Sequence, residues 1–230
     1  MAIQSVLIVG AGGLGVPAAI ALARTGRVHF VLLDPDRVEL SNLPRQVIFT
    51  EADIGTPKVS SAARHLRQAY PGLAVRAVAD ELNADNARRM IAASAFVIDA
   101  TDNPVAKFLI NDTCVALGRP FVYAGVLGLI GQVMTVIPGR SACLRCLFEE
   151  PPDADEVASC QQAGIVGPVA GAIGEIEAAE ARHILRGEPP ELSGTMLTYN
   201  GIGAERIRLT PVSAREGCGC GARRESALAP

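Results

Sequence analysis

The sequence has no surplus of positive charge. Lysine and arginine number 21 against 24 aspartates and glutamates, a formal net charge of −3. That balance excludes the basic surface that nucleic-acid binding normally shows. No apolar run reaches membrane-spanning length without glycine, proline or charge. The longest candidate, Val122 to Pro138, carries three glycines and a glutamine, and it reads better as two strands and a turn. Nor does the chain open like a secretory signal: Met1 to Gln4 lead straight into Ser5-Val6-Leu7-Ile8-Val9, too short and too uncharged a start. A soluble cytoplasmic protein with no membrane partner is therefore expected, with thiols reduced rather than paired as disulfides. Histidine is scarce: His29 falls in an expected strand, His65 and His183 in expected helices, and none in a loop suited to acid–base work.

What the chain does have is apolar residues, 49% of its 230, enough for one well-packed large domain. There is no internal repeat and no low-complexity linker. Short apolar runs alternate with helical patterns. Strands are expected at Ser5 to Val9, Val28 to Leu33, Leu73 to Val78, Ala95 to Asp99 and Pro120 to Ala124. Helices are expected at Gly13 to Arg24, from Thr56-Pro57 onward, at Ala84 to Ala92 and at Pro104 to Leu117. Thr56 is expected to cap its helix, with Pro57 in the first turn. Val59, Ala62, Ala63 and Leu66 line one face of that helix. Such β–α alternation implies an α/β fold, a mostly parallel sheet with helices on both faces. After Gly125 the pattern changes to an antiparallel hairpin over Val126 to Ile137. A helix at Pro168 to Leu185 follows, then strands near Met196 to Tyr199 and Arg206 to Leu209, and an irregular tail from Ser213.

Gly10-Ala11-Gly12-Gly13-Leu14-Gly15 fits the pattern G-x-G-x-x-G and lies between a strand and a helix. Gly10 permits the tight turn, Gly12 the approach of a phosphate, and Gly15 close packing of helix on strand. The helix N-terminus offers free N–H groups to an anion. Asp34, 19 residues after Gly15, ends the second strand, where a carboxylate can accept both ribose hydroxyls. These residues define a Rossmann-like nucleotide site and by themselves fit an NAD-dependent oxidoreductase. Asn42, Arg45, Gln46 and Lys58 follow soon after. Such donors suit a triphosphate better, since they can neutralise charge as pyrophosphate leaves.

The six cysteines include Cys143-Leu144-Arg145-Cys146 and, some seventy residues on, Cys218-Gly219-Cys220. Two thiolate pairs are a structural zinc signature. Gly217, Gly219 and Gly221 give the tighter second pair backbone freedom to adapt. Cys160 follows an acidic, proline-containing stretch that reads as a mobile loop and precedes a glycine-rich segment and a helix start, features that lower and expose a thiol. Cys114 lies in an apolar helical run and reads as core.

Five motifs occur in order: Gly10 to Gly15, Asp34-Pro35-Asp36, Ser41-Asn42-Leu43-Pro44-Arg45-Gln46, Gly55-Thr56-Pro57-Lys58 and Asp99-Ala100-Thr101-Asp102-Asn103. Together with Cys160 to Pro168 and the final cysteines, they make the chain resemble the ThiF/MoeB/HesA family, relatives of the ubiquitin-activating enzymes. The resemblance implies an adenylyltransferase that uses ATP and Mg²⁺ to activate the C-terminal glycine of a ubiquitin-like sulfur-carrier protein ending in Gly-Gly. It implies a homodimer, a structural Zn²⁺ on Cys143, Cys146, Cys218 and Cys220, and sulfur supplied through Cys160 or by a separate sulfurtransferase donor. By position, Gly10, Gly12, Gly13 and Gly15 would form the phosphate loop, and Asp34, with Asp36 beside it, would hold the ribose. Asn42, Arg45, Gln46 and Lys58 would hold the phosphates. Asp102, with Asn103 next to it, would hold magnesium. Arg45, Lys58, Asp102 and Cys160 would be catalytic. Residues 1–125 would be the nucleotide-binding half. Residues 126–230 would be an antiparallel extension with a crossover loop and the zinc element, the two forming one compact domain. Family members usually begin with a helical arm whose arginine reaches the neighbouring subunit; this sequence starts almost at the first strand and offers no obvious replacement, so slower catalysis, a borrowed arginine or a different detail of mechanism all stay open. Two alternatives stay open beside the enzyme and the oxidoreductase: a binding module that holds a carrier without activating it, and a relative that activates a non-protein or RNA-attached carboxylate.

Overall fold

The computed structural model describes residues 3–25, 28–152 and 164–221. One sheet organises them, in the order β3-β2-β1-β4-β5-β6-β7-β8. Strands β1 (Gln4–Val9), β2 (Val28–Leu33), β3 (Ala74–Val78), β4 (Phe96–Asp99) and β5 (Phe121–Leu127) are parallel. Strands β6 (Ile130–Val136), β7 (Thr195–Asn200) and β8 (Ile207–Pro211) extend the sheet antiparallel. Alternate residues of each parallel strand feed two separate cores. Val6, Ile8, Phe30, Leu32, Phe96 and Ile98 pack under α1 (Gly15–Ala23), α2 (Lys58–Ala69) and the long C-terminal helix. Leu7, Val9, Leu33, Val97 and Phe121 pack under α3 (Ala87–Ala92) and α4 (Pro104–Leu117). A sheet buried on both faces has no wet side, which is why its central strands read as continuous apolar runs. A short α5 (Leu144–Leu147) and the long α6 (Gly167–Arg186) complete the described helices.

Three local expectations change. Strand β5 does not stop at Ala124. It passes through Gly125 to Leu127, because Gly125 pairs with Gln132 of β6, and the hairpin turns at Gly128. The helix expected from Ala84 starts at Ala87. Asn83 and Asn86 instead hold a turn, each accepting the other's backbone N–H through its side-chain oxygen. Thr56 does not cap α2. Its hydroxyl is engaged with the Asp53 carbonyl at 2.5 Å and the Ser61 hydroxyl at 2.6 Å. The polar stretch from Pro35 to Gly55 is ordered around Asp53, a fully buried carboxylate. Burial acts to raise Asp53, but hydrogen bonds from His65, Thr50 and Ser61 hold it well below the usual carboxylate range.

Helix α6 carries two acids into the interior. Glu180 is satisfied by the Thr135 hydroxyl and by the backbone N–H groups of Glu191 and Leu192. Glu177 is fully buried, and neither of its carboxyl oxygens has a hydrogen-bond partner among the described residues. Burial pushes its pKa well up, and the charge of Asp99 adds to this, while Lys107 opposes it. A carboxyl with a folded-state pKa above its unfolded value contributes stability at low pH and loses it as pH rises toward the folded value. The wild-type melting temperature should therefore fall between pH 5 and pH 8 more steeply than that of Glu177→Gln. For a chain of this size, about 1 kcal/mol of relief at pH 8 would read as a rise of about 2–4 °C. Parallel pH profiles for the two proteins would show that Glu177 does not carry this proton.

Candidate active site

The loop between β1 and α1 is built by close approach. Gly10 has φ +100°, and a Cβ there would lie 2.5 Å from the carbonyl oxygen of Ala100 at the end of β4. A Cβ on Gly15 would lie 1.9 Å from the Gly10 carbonyl oxygen. Neither position admits a side chain. Asp34, ending β2 next door, ties the loop down. One of its carboxylate oxygens accepts the Ala11 N–H at 2.7 Å, the other the Asp36 N–H at 2.8 Å. Asp34 is buried, which raises its pKa; the Ala11 N–H and the nearby Lys58 charge oppose that rise.

A cavity of about 900 Å³ opens over this loop at the C-terminal ends of the parallel strands. It is lined by Gly10, Gly12, Gly13, Asp34, Asp36, Asn42, Arg45, Gln46, Lys58, Asp102 and Asn103. Of the expected nucleotide-site residues, Gly15 alone stays out of the lining; it is buried behind the loop. The Lys58 ammonium is 2.7 Å from the carboxylate of the exposed Asp36. Asn42 is buried and accepts the Glu39 N–H at 3.1 Å, which sets the short helical turn that brings Arg45 and Gln46 round. Arg45 donates to the Ser41 carbonyl at 2.7 Å. Gln46 is buried against Gly12, and its side-chain oxygen has no partner. Asn103 caps α4 by accepting the N–H groups of Val105 and Ala106. Asp102, just before it, is exposed at the cavity wall and makes no hydrogen bond or ion pair among the described residues. No histidine lines the cavity. His65 braces Asp53, and His183 faces Glu188 near the end of α6.

Farther from the loop the lining turns apolar, with Tyr123, Val126, Leu127, Ile130, Leu144 and Phe148. Two residues here, Lys107 and Glu177, escape a reading of the sequence, and Asp99 reads there as the start of a motif with no role of its own. Lys107 borders the cavity, and Asp99 and Glu177 lie beneath it, both fully buried. One signal was available for Lys107. Asn103, Lys107 and Asn111 recur every four residues in α4 and so share one stripe of an otherwise apolar helix.

The four paired cysteines converge: their sulfurs all lie within 4.8 Å of one another. Cys143 is 3.9 Å from Cys146 and 3.6 Å from Cys218, and Cys146 is 3.7 Å from Cys220. Four thiolates on one tetrahedral ion with bonds of about 2.3 Å sit about 3.8 Å apart, so the donor set suits such an ion. Gly217 and Gly221, flanking the second pair, both have positive φ. The first pair is bolted to α4. The Leu144 N–H donates to the Asn111 side chain at 2.9 Å. Arg145 forks onto Asp112 at 2.7 and 2.8 Å, with its guanidinium over the Phe108 ring. Cys114 stays apart in the core, where burial pushes its thiol up. Cys160 lies outside the described residues. Of the small and apolar residues between Ile165 and Ile176, Val169, Ala170 and Ile173 are core, and Gly174 lets α6 close onto Leu14 and Pro17 of the α1 region.

No helix among the described residues is long and apolar enough to cross a membrane. The ThiF family profile matches residues 2–220. A Haloferax volcanii protein named SAMP-activating enzyme E1 is 40% identical over 197 residues, covering 86% of this chain and 73% of that protein. A Thermus thermophilus sulfur carrier protein adenylyltransferase is 38% identical over 211 residues, covering 90% and 78%. An Arabidopsis thaliana protein, adenylyltransferase and sulfurtransferase MOCS3, is 40% identical over 214 residues, or 92% of this chain. The chain spans about half the length of such MOCS3 relatives, 46% in this case. Among solved structures, Escherichia coli MccB with ATP superposes with a TM-score of 0.82 at 21% identity, covering 95% of this chain and 67% of that one, a likeness of fold alone. With its glycine loop, its ordered donor residues and its cysteine cluster all within the matched span, the chain belongs to the ThiF family.

Proposed function

We propose that this protein adenylates the C-terminal carboxylate of a small ubiquitin-like sulfur-carrier protein ending in Gly-Gly. The observation that carries the reading is the cavity's division of labour. A glycine-rich loop, cations and amides line one end, a carboxylate without a partner among the described residues stands at its wall, and an apolar mouth lies beyond. The relatives named as carrier-activating and adenylyltransferase proteins support it.

In this reading the glycine loop and the α1 N-terminus receive the phosphates of ATP, and Asp34 accepts the ribose hydroxyls. The carrier's carboxylate oxygen attacks the α-phosphorus. The bond from that phosphorus to the bridging oxygen breaks, and pyrophosphate leaves with the electron pair; no proton has to move. Asn42, Arg45, Gln46 and Lys58 stabilise the charge that builds up on the departing phosphates. Asp102 fits a magnesium ion by its chemistry, a free carboxylate at the cavity wall. Magnesium bound there would neutralise phosphate oxygens. The cysteine cluster would hold a structural Zn²⁺. Homodimer assembly and a separate sulfur donor belong to the same proposal. The donor is in keeping with the combined adenylyltransferase and sulfurtransferase name of relatives about twice as long.

Two measurements test this. Carrier-dependent ATP–pyrophosphate exchange should appear with one Gly-Gly-ending carrier. It should drop about 10²–10³-fold in Lys58→Ala and Asp102→Ala, the loss usual for removing one preorganised charge-stabilising group. Carrier binding without exchange in the unmodified protein would instead mark a binding module. For the cysteines, metal analysis should find one zinc per chain, absent from Cys218→Ser. If the site is worth about 3 kcal/mol, that variant should melt about 6–12 °C lower. Zinc-free protein with an unchanged melting temperature in chelator would rule the metal out.

A further inference from the structure

Lys107 lies in the first half of α4 and is only 9% exposed. Its ammonium donates to Asp99 Oδ1 at 3.2 Å and to the Ala124 carbonyl, and it stands 4.9 Å from the centre of the Tyr123 ring. An ammonium has three protons. Two meet oxygens, and the aromatic face takes the remaining direction. Although Lys107 borders the cavity, its charge is therefore engaged inward and not held ready for a ligand.

Asp99 explains that orientation. It ends β4, is fully buried, and accepts both the N–H and the hydroxyl of Thr101 on Oδ1, at 3.2 and 3.1 Å. The one proton of the Thr101 hydroxyl is shared with the Asn103 carbonyl, the more distant acceptor at 3.4 Å, and Asn103 caps α4. The turn from Asp99 to Asn103 is thus wound on a carboxylate below and pinned to a helix beyond. Asp102 is its exposed corner. Without a cation beside it, a carboxylate in this apolar setting would take up a proton or draw back, and its bonds from Thr101 would weaken or break. Among the described residues, Lys107 is the cation that acts on Asp99; Tyr123 and Cys114 face it as neutral groups, and Glu177 is a second acid.

We propose that Lys107 is a positioning residue: through Asp99 it fixes the turn that presents Asp102 to magnesium-bound nucleotide, without touching either. The proposal rests on the reading of Asp102 as the magnesium-holding group.

The test is calorimetric titration of ATP into the full chain, once in excess Mg²⁺ and once in EDTA, which gives a magnesium gain in affinity without any turnover. Wild type should show a clear gain and Asp102→Ala should abolish it. Lys107→Met should lose about 10-fold or more of that gain, as outer-shell partners of metal ligands do, while its affinity in EDTA stays within about threefold of wild type. Lys107→Arg should restore most of the gain. Thr101→Val removes the hydroxyl bond to Asp99 without burying a lone charge, and it should lose part of the gain with EDTA affinity unchanged. If Lys107→Met keeps the full gain while Asp102→Ala loses it, the positioning role falls and the reading of Asp102 stands. An equal loss of affinity with and without Mg²⁺ in Lys107→Met also overturns the role, since it marks general damage or direct ligand contact. If Asp102→Ala keeps the gain, both readings fall together. Should Lys107→Met fail to fold, Thr101→Val decides alone, and an unchanged gain there overturns the proposal.

Discussion

Two aspartates at the ends of parallel strands hold the cavity's rim, and both do so with carboxylates taken out of water. A buried carboxylate is tolerated only where donors converge on it, so each one gathers the backbone that follows or faces it. Asp34 gathers the glycine loop through Ala11 and its own loop through Asp36. Asp99 gathers Thr101 and is matched by Lys107. The two strand ends are pressed together where Gly10 meets Ala100, at a separation that excludes any side chain. The glycine loop and the turn that bears Asp102 take their positions from these inward contacts. Arg45 is set instead by its own turn, through Asn42 and Ser41.

Much of this was legible in the chain. Strand Val28–Leu33 and helix Pro104–Leu117 lie where local pattern puts them, because a buried parallel strand and a proline-started, glycine-ended helix carry their signals within themselves. The glycine loop and the four cysteines were legible for a different reason: their chemistry restricts the residue types at fixed spacing. The failures are equally physical. Gly125 looks like a stop, yet ladder pairing with Gln132 across the hairpin carries the strand through it. Thr56 looks like a cap, yet a buried loop supplied it with nearer partners. Lys107 and Glu177 looked like ordinary polar positions on helices. Lys107 is buried against Asp99 on a separate strand, Glu177 lies near both as a second acid, and no local window joins the three.

The cysteine cluster has a reach beyond its own loop. Arg145, between the first two sulfurs, forks onto Asp112, and the neighbouring Leu144 N–H holds Asn111, so the knuckle grips the second half of α4. The first half of that helix carries Asn103 and Lys107. One helix thus runs from the proposed metal element to the turn that bears Asp102, and the tail residues Cys218 and Cys220 close it off from the other side.

Lys58 is not a bare cation awaiting a ligand. Its ammonium already lies 2.7 Å from Asp36, an exposed acid with freedom to swing away. An incoming anion must out-compete a carboxylate already in contact, and a lone chloride or a single phosphate brings little with which to do so. A chain of phosphates that engages the loop, Arg45 and Lys58 together can displace Asp36 by adding several contacts at once. In the proposed reading, the resident counter-ion sets a threshold that favours a polyphosphate over a lone small anion.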